Sequence, residues 1–462
     1  MKVLRVSEVL TAINGHLTHG DNNLEIHNVC RQLRNLKDHS LYFHLSKKLI
    51  DPSLLIGKSH YVIVTEDNRM ERYLDSSSCL VLVENSKNAF LDFIDYYRGL
   101  FTIPVIGVTG TCGKTTTKEM IKHILKKDYR VHGTYSSQNG LHLNLQYLLG
   151  MDKNTEIAVF EMGVAYPGNI RISGRYFKPT IGVITNIGEA HLEGCGTLEK
   201  YVKAKGEMLE VLSNNGTLVI NGDDENIKKL SLESFKGKVL SFGINDHSDF
   251  RASNVKYGAH GMQYRLHFSN EMYEVFIPGY GEHNVYNSLS AIAAAQIIGI
   301  PIEIGINRLR DFKGMERHVK TYNGFNGSTI IDDTWSCNPS SVKSAIEVLK
   351  NISKGKKEVL VLGKMQRLGN RLKEQHEKMG QTIMNYGGVD YLIAVGSSAA
   401  LTGERGITLG LNPSNVFFVN DANELESILD GISNEDMIIL FKFSLGKMDP
   451  SYRKVVEKYR LS

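Results

Sequence analysis

The residues best suited to chemistry lie in 104-PVIGVTGTCGKTTTKEM-120, where an apolar run meets a glycine-rich turn and then a helix-like pattern. A strand, such a turn and a helix together direct backbone N–H groups and the positive end of the helix at an anion. Gly110 and Gly113 allow the backbone to approach that anion closely. Lys114 is placed to reach terminal phosphates, and the Thr115 hydroxyl to bind Mg²⁺. The segment predicts a phosphate-binding loop; the alternative is a tight glycine turn with an incidental lysine.

Two further segments offer metal ligands near such a loop. In 158-AVFEMG-163, Glu161 ends an apolar strand, and in 185-TNIGEAHLEG-194, His191 follows another strand end. Carboxylates at strand ends beside a phosphate loop are suited to holding Mg²⁺. Taken alone, Glu161 is equally compatible with capping a turn, and His191 with packing on the surface.

Composition excludes several classes of protein. The 462 residues suggest about three domains, and the hydrophobic (42%) and charged (23%) fractions are those of a globular protein. A net charge of +4 without a dense basic block argues against nucleic acid. Five scattered cysteines without CxxC spacing indicate reduced thiols in a cytoplasmic protein. The N-terminus does not resemble a signal peptide, and the longest apolar stretch is too short and interrupted to span a membrane.

The order of apolar segments predicts an α/β fold of three domains. Residues 1–100 mix short apolar runs with turns, which is typical of a small α/β domain. Residues 101–315 alternate strand-like and helix-like segments, which predicts parallel strands with crossover helices in a P-loop NTPase-like domain. Residues 316–462 repeat this alternation and predict a Rossmann-like α/β domain. Segment 284-NVYNSLSAIAAAQIIGI-300 indicates a buried helix.

With these segments in order, the chain resembles the ATP-dependent Mur ligase family, whose loop reads GTxGKT[TS]. The usual GxxxxGK[ST] pattern has a glycine where Val108 stands, so the shorter GTxGKT is the better fit. The resemblance covers the chain from about residue 100 and, more weakly, the first hundred residues. It is strongest to the branch that adds D-alanyl-D-alanine to UDP-N-acetylmuramoyl-tripeptide.

The resemblance implies which residues bind ATP and magnesium. In the family, the Glu of the ExG segment and the His of NIGxAHLE bind two Mg²⁺ ions, which implies Glu161 and His191 beside Thr115, with Lys114 and His191 acting in catalysis. The motifs GxHNxxN in 281-GEHNVYNSL-289 and DDSYNANP against 332-DDTWSCNP-339 imply further nucleotide contacts, and Arg317 stands at the family's junction arginine. The implied nucleotide ligands are Gly110, Thr111, Gly113, Lys114, Thr115, Thr116, His283, Asn284, Asn287, Arg317 and Asp333. An asparagine at such a helix start is also compatible with capping alone.

A lysine that follows the histidine segment is carbamylated in the family and acts in catalysis. The match in 201-YVKAKGEML-209 implies Lys205 rather than Lys203. By its chemistry alone, Lys205 is also compatible with a solvated position on a helix.

The segments that would meet the substrates differ most from the branch. Trp335 replaces a tyrosine, and Lys364 and Arg367 in 361-VLGKMQRLGNR-371 replace the two acids of LGDMxELG. Asn139 lies in a segment similar to the branch's substrate loop, and Asn338 is retained. The DSR segment of the first domain is not found in 29-VCRQLRNLKDHSLYFHL-45. We interpret Asn139, Trp335, Asn338, Lys364 and Arg367 as substrate-binding, although an aromatic after a strand is as often plain packing.

The resemblance implies a cytoplasmic, monomeric ATP-dependent amide ligase. A substrate carboxylate would attack the γ-phosphate to give an acyl phosphate and ADP, and an amine would then displace phosphate. Three hypotheses remain: D-alanyl-D-alanine addition in peptidoglycan precursor synthesis, a diverged Mur-type ligase joining another carboxylate and amine, and a catalytically silent ATP-binding regulator. Retention of Lys114, Thr115, Glu161, His191 and Lys205 argues against the third.

Overall fold

The structure is a computed structural model that describes residues 1–140, 144–189, 192–212 and 215–461. It divides into two compact units. Unit 1 comprises Met1–Val105, Tyr129–Phe160 and Ser173–Lys178. Unit 2 comprises Ile106–Asp128, Glu161–Ile172 and Pro179–Ser462.

Unit 1 is built around a five-stranded sheet with helices Val6–Ile13 and Ser86–Gly99. Its strands, in spatial order, are His16–His19, Cys79–Leu82, Val62–Thr65, Ser40–Phe43 and Asn28–Cys30. Neighbours run parallel except for the first pair, which is antiparallel. Leu4–Arg5 also pairs with Glu25–Ile26, and Val131–Gly133 pairs with Ile157–Glu161. The α/β character expected for residues 1–100 is therefore confirmed, and their bounds as a separate domain stay a prediction.

The first sheet of unit 2 carries the phosphate loop. Its strands, in spatial order, are Val105–Thr109, Ile181–Ile184, Thr217–Asn221, Lys238–Gly243, Phe250–Tyr257, Gly261–Phe268 and Glu271–Pro278. The helices of this part are Lys114–Leu125, Asn169–Phe177 (shared with unit 1), Leu192–Cys195, Leu198–Gly206, Met208–Val211, Glu282–Ile298 and Ile302–Leu309. The helix predicted over 284–300 is thus present.

The expectation of parallel strands fails at the far edge of this sheet. The first five strands are mutually parallel, but Gly261–Phe268 and Glu271–Pro278 are antiparallel. Residues 258–260 and 269–270 are the only connections between these last strands. Such short links close hairpins, whereas a parallel crossover needs a dozen residues or more.

The second sheet of unit 2 has six strands and helices on both faces. The strands, in spatial order, are Lys320–Asn323, Thr329–Asp333, Met437–Lys442, Lys357–Leu362, Tyr391–Val395 and Val416–Val419. The helices are Pro339–Ile352, Leu372–Asn385, Ser397–Thr408, Ala422–Ile432 and Ser451–Tyr459. Alternate side chains enter separate apolar cores, Ile331 one and Ile330 the other. All pairs but the first are parallel, which confirms the predicted second α/β series.

The register of the first sheet positions the candidate site. Thr109 pairs with Ile184 at the carboxyl ends of two neighbouring parallel strands. The loops that begin at Gly110 and Thr185 therefore leave the sheet side by side.

The remaining structural expectations concern cysteines and membranes. The five cysteines are all free thiols. Within the described ranges, no helix has the length and apolar character needed to cross a membrane.

Candidate functional site

The phosphate loop depends on two glycines. Helix Lys114–Leu125 starts directly after Gly113, whose φ of 80° is left-handed. A Cβ at Gly113 would lie 2.2 Å from Asn287 Oδ1, and a Cβ at Gly110 would lie 1.9 Å from Thr185 Oγ1. Neither position has room for a side chain, which explains the glycine spacing in physical terms.

The loop is held in place by the neighbouring strand end. The Thr111 backbone N–H donates to Asn186 O at 2.9 Å, and the Cys112 N–H donates to Asn186 Oδ1 at 2.9 Å. In return, Thr185 Oγ1 donates to Cys112 O at 2.6 Å. Because these bonds fix the backbone before any ligand arrives, the loop is pre-organised for an anion at the start of the helix.

Thr115 and Glu161 lie together beneath this loop. The Thr115 hydroxyl donates to Glu161 Oε2 at 2.9 Å, and the carboxylate is 1% exposed. A hydroxyl and a carboxylate oxygen, both hard donors, fit Mg²⁺ that shares its remaining positions with phosphate and water. His191 lies outside the described residues, and the part of the chain that is described contains no cluster of three His, Cys, Asp or Glu groups that could hold a metal.

Lys205 is buried beside the phosphate loop. Its Nζ donates to Thr109 Oγ1 at 3.1 Å and lies 5.2 Å from the centroid of the Tyr201 ring. Burial lowers the pKa of Lys205 well below its ordinary value, and the positive charge of Lys114 lowers it further. Lys114 Nζ itself donates to Thr111 O at 3.0 Å. Two lysines therefore approach the same loop, and burial shifts the protonation equilibrium of Lys205 towards the neutral amine. The solvated position that chemistry alone allowed for Lys205 is excluded.

Helix Glu282–Ile298 supplies the predicted nucleotide residues. Burial lowers the pKa of His283 to about 4, and its buried Nδ1 has no hydrogen-bond partner among the described residues. Asn284 Nδ2 donates to Tyr280 O at 3.0 Å, while Asn287 Oδ1 accepts from Thr117 Oγ1 at 3.3 Å. Asn287 thus braces the loop helix, and nucleotide contact by these three residues stays a prediction.

The second sheet brings another loop to the phosphate loop. Lys442 Nζ donates to Asp333 Oδ2 at 2.6 Å and to Ser336 O at 2.8 Å, which fixes the segment after strand Thr329–Asp333. Asn338 ends that segment as the cap of helix Pro339–Ile352, and its Oδ1 lies 3.6 Å from Cys112 Sγ. Asn338, predicted to bind substrate, therefore adjoins the phosphate loop, and the charge of Asp333, predicted to bind nucleotide, acts on the Cys112 thiol.

Trp335 contacts two side chains from the junction that precedes the second sheet. The Arg317 guanidinium carbon is 4.7 Å from the centroid of the indole, and the His318 ring stacks at 5.5 Å with an interplanar angle of 23°. The backbone N–H of Trp335 also donates to Arg317 O at 3.0 Å. The only tryptophan of the chain thus holds the arginine predicted to bind phosphate.

The loop with the two acid-to-base replacements lies at the end of strand Lys357–Leu362. The Lys364 side chain is exposed and makes no hydrogen bond or ion pair within the part of the chain that is described. Arg367 has a left-handed φ of 60°, and its charge is among those that act on buried Tyr201. Just beyond, Arg371 Nη1 donates to Glu189 Oε1 at 3.2 Å. Asn139, in contrast, belongs to unit 1, where its N–H donates to Ser137 O at 2.8 Å.

The sequence motifs did not identify Lys118 as a residue of this site. Lys118 is fully buried on the loop helix, with Nζ 3.8 Å from Glu161 Oε2. Its position three residues after Thr115 places it on the same helix face, a spacing that the sequence does show. Burial was the missing information, because an exposed lysine would have the same spacing.

Comparisons with known proteins agree with this geometry. Residues 108–295 match the Mur ligase middle domain, and residues 315–442 match the Mur ligase, glutamate ligase domain. The UDP-N-acetylmuramoyl-tripeptide--D-alanyl-D-alanine ligase of Bacillus subtilis (strain 168) is 29% identical over 438 residues, covering 94% of this chain and 93% of that protein. The protein of the same name from Rickettsia prowazekii (strain Madrid E) is 30% identical over 392 residues, covering 82% and 83%.

The fold agrees as well. The crystal structure of MurF from Acinetobacter baumannii superposes with a TM-score of 0.86 at 23% identity, covering 99% of this chain and 100% of that one. Two matched domains, a relative at 30% identity and the shared architecture point to one assignment. The chain belongs to the Mur ligase family.

Proposed function

We propose that this chain is an ATP-dependent ligase that adds D-alanyl-D-alanine to UDP-N-acetylmuramoyl-tripeptide, forming ADP and phosphate. The observation that carries the proposal is the convergence of a pre-organised phosphate loop, the Thr115–Glu161 pair and buried Lys205. The names of the relatives that align over most of the chain supply the substrates.

The first half of the proposed reaction takes place at the phosphate loop. Loop N–H groups and Lys114 bind the β- and γ-phosphates, while Gly110, Thr111, Gly113 and Thr116 shape the loop around them. Mg²⁺, two ions in our proposal, would supply positive charge that neutralises the transferred phosphoryl group. Thr115, Glu161 and His191 would hold these ions. The substrate carboxylate then attacks the γ-phosphorus, the bond to the bridging oxygen of ADP breaks, and an acyl phosphate forms.

The second half needs an amine and a dry site. The amine nitrogen attacks the acyl carbon, loses a proton, and the phosphate leaves with the electrons of the broken C–O bond. The segment from Asp333 to Asn338 faces the phosphate loop and is proposed to cover the reacting groups, with Trp335 and Asn338 meeting the substrate. Excluding water there protects the acyl phosphate from hydrolysis.

Lys205 is proposed to carry a carbamate. Carbon dioxide reacts with a neutral amine, and burial lowers the pKa of Lys205 well below its ordinary value. The amine nitrogen would form a bond to the CO₂ carbon and lose a proton to solvent, which turns a neutral amine into an anion with two oxygens, a group suited to Mg²⁺. The contact of Lys205 Nζ with Thr109 Oγ1 at 3.1 Å would direct that group towards the loop.

The three parts of the chain have separate proposed roles. Residues 1–100 bind the UDP-sugar part, 101–315 bind ATP, and 316–462 bind the amine and close over ATP. The nucleotide contacts are assigned to His283, Asn284, Asn287, Arg317 and Asp333, and the remaining substrate contacts to Asn139, Lys364 and Arg367. The chain is proposed to act as a monomer in the cytoplasm, since one chain supplies both the phosphate loop and the segment that covers it.

A second candidate is a Mur-type ligase that joins a different carboxylate and amine. It is favoured by Lys364, which is exposed, and by Arg367, since both stand on the loop proposed to meet the amine. Two cations on this loop favour an amine substrate that carries more negative charge than two carboxylates would favour. Nucleotide chemistry would be the same in both candidates.

Phosphate release from ATP and Mg²⁺ separates the candidates. UDP-muramoyl-tripeptide and D-Ala-D-Ala are omitted in turn, and Lys114→Met serves as the control for contaminating ATPase. Release that requires both substrates, with the ligated product seen by mass spectrometry, supports the first candidate. Release only with another carboxylate and amine supports the second. ATP binding without release on any substrate pair would contradict both.

A further inference from the structure

Lys118 is a buried cation next to a proposed metal ligand, and the mechanism above gives it no role. Its Nζ lies 3.0 Å from Glu119 Oε1 and 3.8 Å from Glu161 Oε2, and the side chain is completely buried. Glu161 Oε2 is the same oxygen that accepts the Thr115 hydroxyl. One carboxylate oxygen therefore contacts both the hydroxyl that is proposed to bind magnesium and the Lys118 ammonium. Burial lowers the pKa of Lys118, and the charges of Glu119 and Glu161 oppose that shift.

A charge in this position has two physical consequences. It compensates a buried carboxylate, which would otherwise be strongly destabilising inside the protein. It also repels a second cation that approaches the same oxygen, because Coulomb forces at about 4 Å are poorly screened in a buried site. Lys118 thus stabilises Glu161 and opposes metal binding to it.

We propose that Lys118 is the resident counter-ion of Glu161 and keeps the nucleotide-free site weak for divalent metal. The triphosphate brings the negative charge that overcomes this repulsion, so Mg²⁺ is retained only together with nucleotide. This inference rests on the proposed function in one respect, which is the assignment of Thr115 and Glu161 as metal ligands.

The helix offers a matched control. Lys122 lies one turn further on and is 26% exposed, and its Nζ is 3.2 Å from Oε2 and 3.3 Å from Oε1 of Glu119. Lys122→Met removes a cation from Glu119 without altering the surroundings of Glu161. A difference between Lys118→Met and Lys122→Met therefore reports on Glu161 rather than on Glu119.

Mn²⁺ binding to the nucleotide-free protein tests the proposal, measured as loss of the free-ion electron paramagnetic resonance signal. Lys118→Met is expected to bind Mn²⁺ about tenfold more tightly than the parent chain. Lys118→Arg and Lys122→Met are expected to stay within about twofold of the parent chain, since in both variants a cation remains beside Glu161. Equal or weaker binding by folded Lys118→Met would overturn the proposal.

Thermal unfolding in EDTA and in Mn²⁺ gives a second readout. Lys118→Met should lose stability in EDTA and gain more from Mn²⁺ than the parent chain does. If this variant folds only with Mn²⁺, the proposal is supported, and if Mn²⁺ does not restore folding to Lys118→Met or Lys118→Gln, it is overturned. Neither measurement uses the ligase substrates. The result for Lys118 therefore does not depend on the outcome of the phosphate-release assay.

Discussion

The Lys442 ammonium and the Asp333 carboxylate meet at 2.6 Å, with Lys442 fully buried and Asp333 nearly so. The pair joins the ends of strands Met437–Lys442 and Thr329–Asp333, which are neighbours in the second sheet. Lys442 also donates to Ser336 O, so the same ammonium fixes the loop that faces the phosphate loop. Asp333, which we propose as a nucleotide ligand, is therefore also one half of a structural ion pair.

Removing Lys442 should destabilise the chain strongly. Lys442→Met leaves a buried carboxylate without its partner, which typically costs about 3–5 kcal/mol. The double variant Lys442→Met with Asp333→Leu should recover much of the unfolding free energy but none of the activity, because Asp333 is proposed to bind ATP. Urea unfolding and phosphate release measure the two effects. Equal stability of the single and double variants would contradict this account.

Glu161→Gln should abolish most of the activity while the chain still folds, because Lys118 keeps Glu119 as a partner at 3.0 Å. The amide retains the hydrogen bond from Thr115 but loses the charge that Mg²⁺ requires. Phosphate release is expected to fall by roughly 100-fold, the upper end of the effects seen for groups that orient metal ligands. Glu225→Gln, an exposed acid paired with Lys228, is the control and should be near normal.

Much of this arrangement could be predicted because it is local in sequence. The strand, glycines, lysine and helix of the phosphate loop are contiguous, and local geometry decides their conformation. The second α/β series was visible for the same reason, since each buried parallel strand is a short apolar run.

Contacts across the sequence could not be predicted in the same way. The contact between Cys112 and Asn338 and the pair between Asp333 and Lys442 join segments more than a hundred residues apart. The burial of Lys118 depends on such packing, and no local pattern distinguishes it from an exposed lysine. The antiparallel strands were missed because alternation alone does not give strand direction; the short connections at residues 258–260 and 269–270 do.

Lys205 should be the carbamylated lysine. In protein equilibrated with ¹³C-bicarbonate, a carbamate ¹³C resonance is expected for the parent chain and for Lys203→Gln, and not for Lys205→Gln. Lys203 is the matched control because it lies on the same helix but is exposed and paired with Glu199. Phosphate release should fall by roughly 100-fold in Lys205→Gln alone. A resonance that persists in Lys205→Gln would show that another amine reacts.

The carbamate should also weaken as the pH falls. Burial lowers the pKa of Lys205, so its amine is neutral over a wider range than that of an exposed lysine, but acid still protonates it. Since only the neutral amine binds CO₂, the ¹³C resonance is expected to decline towards low pH. A resonance that grows on acidification would contradict the assignment.

His376 should make the stability depend on pH. Burial lowers its pKa from 6.5 to about 4, and its Nε2 accepts the Met365 N–H at 3.1 Å. The unfolded chain therefore gains a proton near pH 6.5, whereas the folded chain gains one only near pH 4. This stabilisation is fully present above pH 6.5 and is lost as the pH falls to about 4, by roughly 3 kcal/mol at most.

The variant His376→Gln measures this contribution. Glutamine can accept the same N–H bond but does not titrate, so the decline in unfolding free energy between pH 6.5 and 4.5 should be shallower than in the parent chain. His247→Gln removes an exposed histidine and should leave the decline unchanged. Parallel declines for the parent chain and His376→Gln would show that the buried imidazole is not responsible.

Trp335 should report the arrival of nucleotide. It is the only tryptophan, and Arg317, which is proposed to bind phosphate, stacks on its ring at 4.7 Å. Phosphate that engages the guanidinium must alter the charge or distance beside the indole, so ATP with Mg²⁺ should change the emission. Arg317→Lys should weaken ATP binding by about tenfold and reduce this change, because an ammonium lacks the planar fork that stacks and binds phosphate in two places.

Trp335→Phe removes the signal and tests by calorimetry whether ATP binds without it. An emission that stays constant while calorimetry shows ATP binding to the parent chain would mean that Arg317 serves the junction and not the nucleotide.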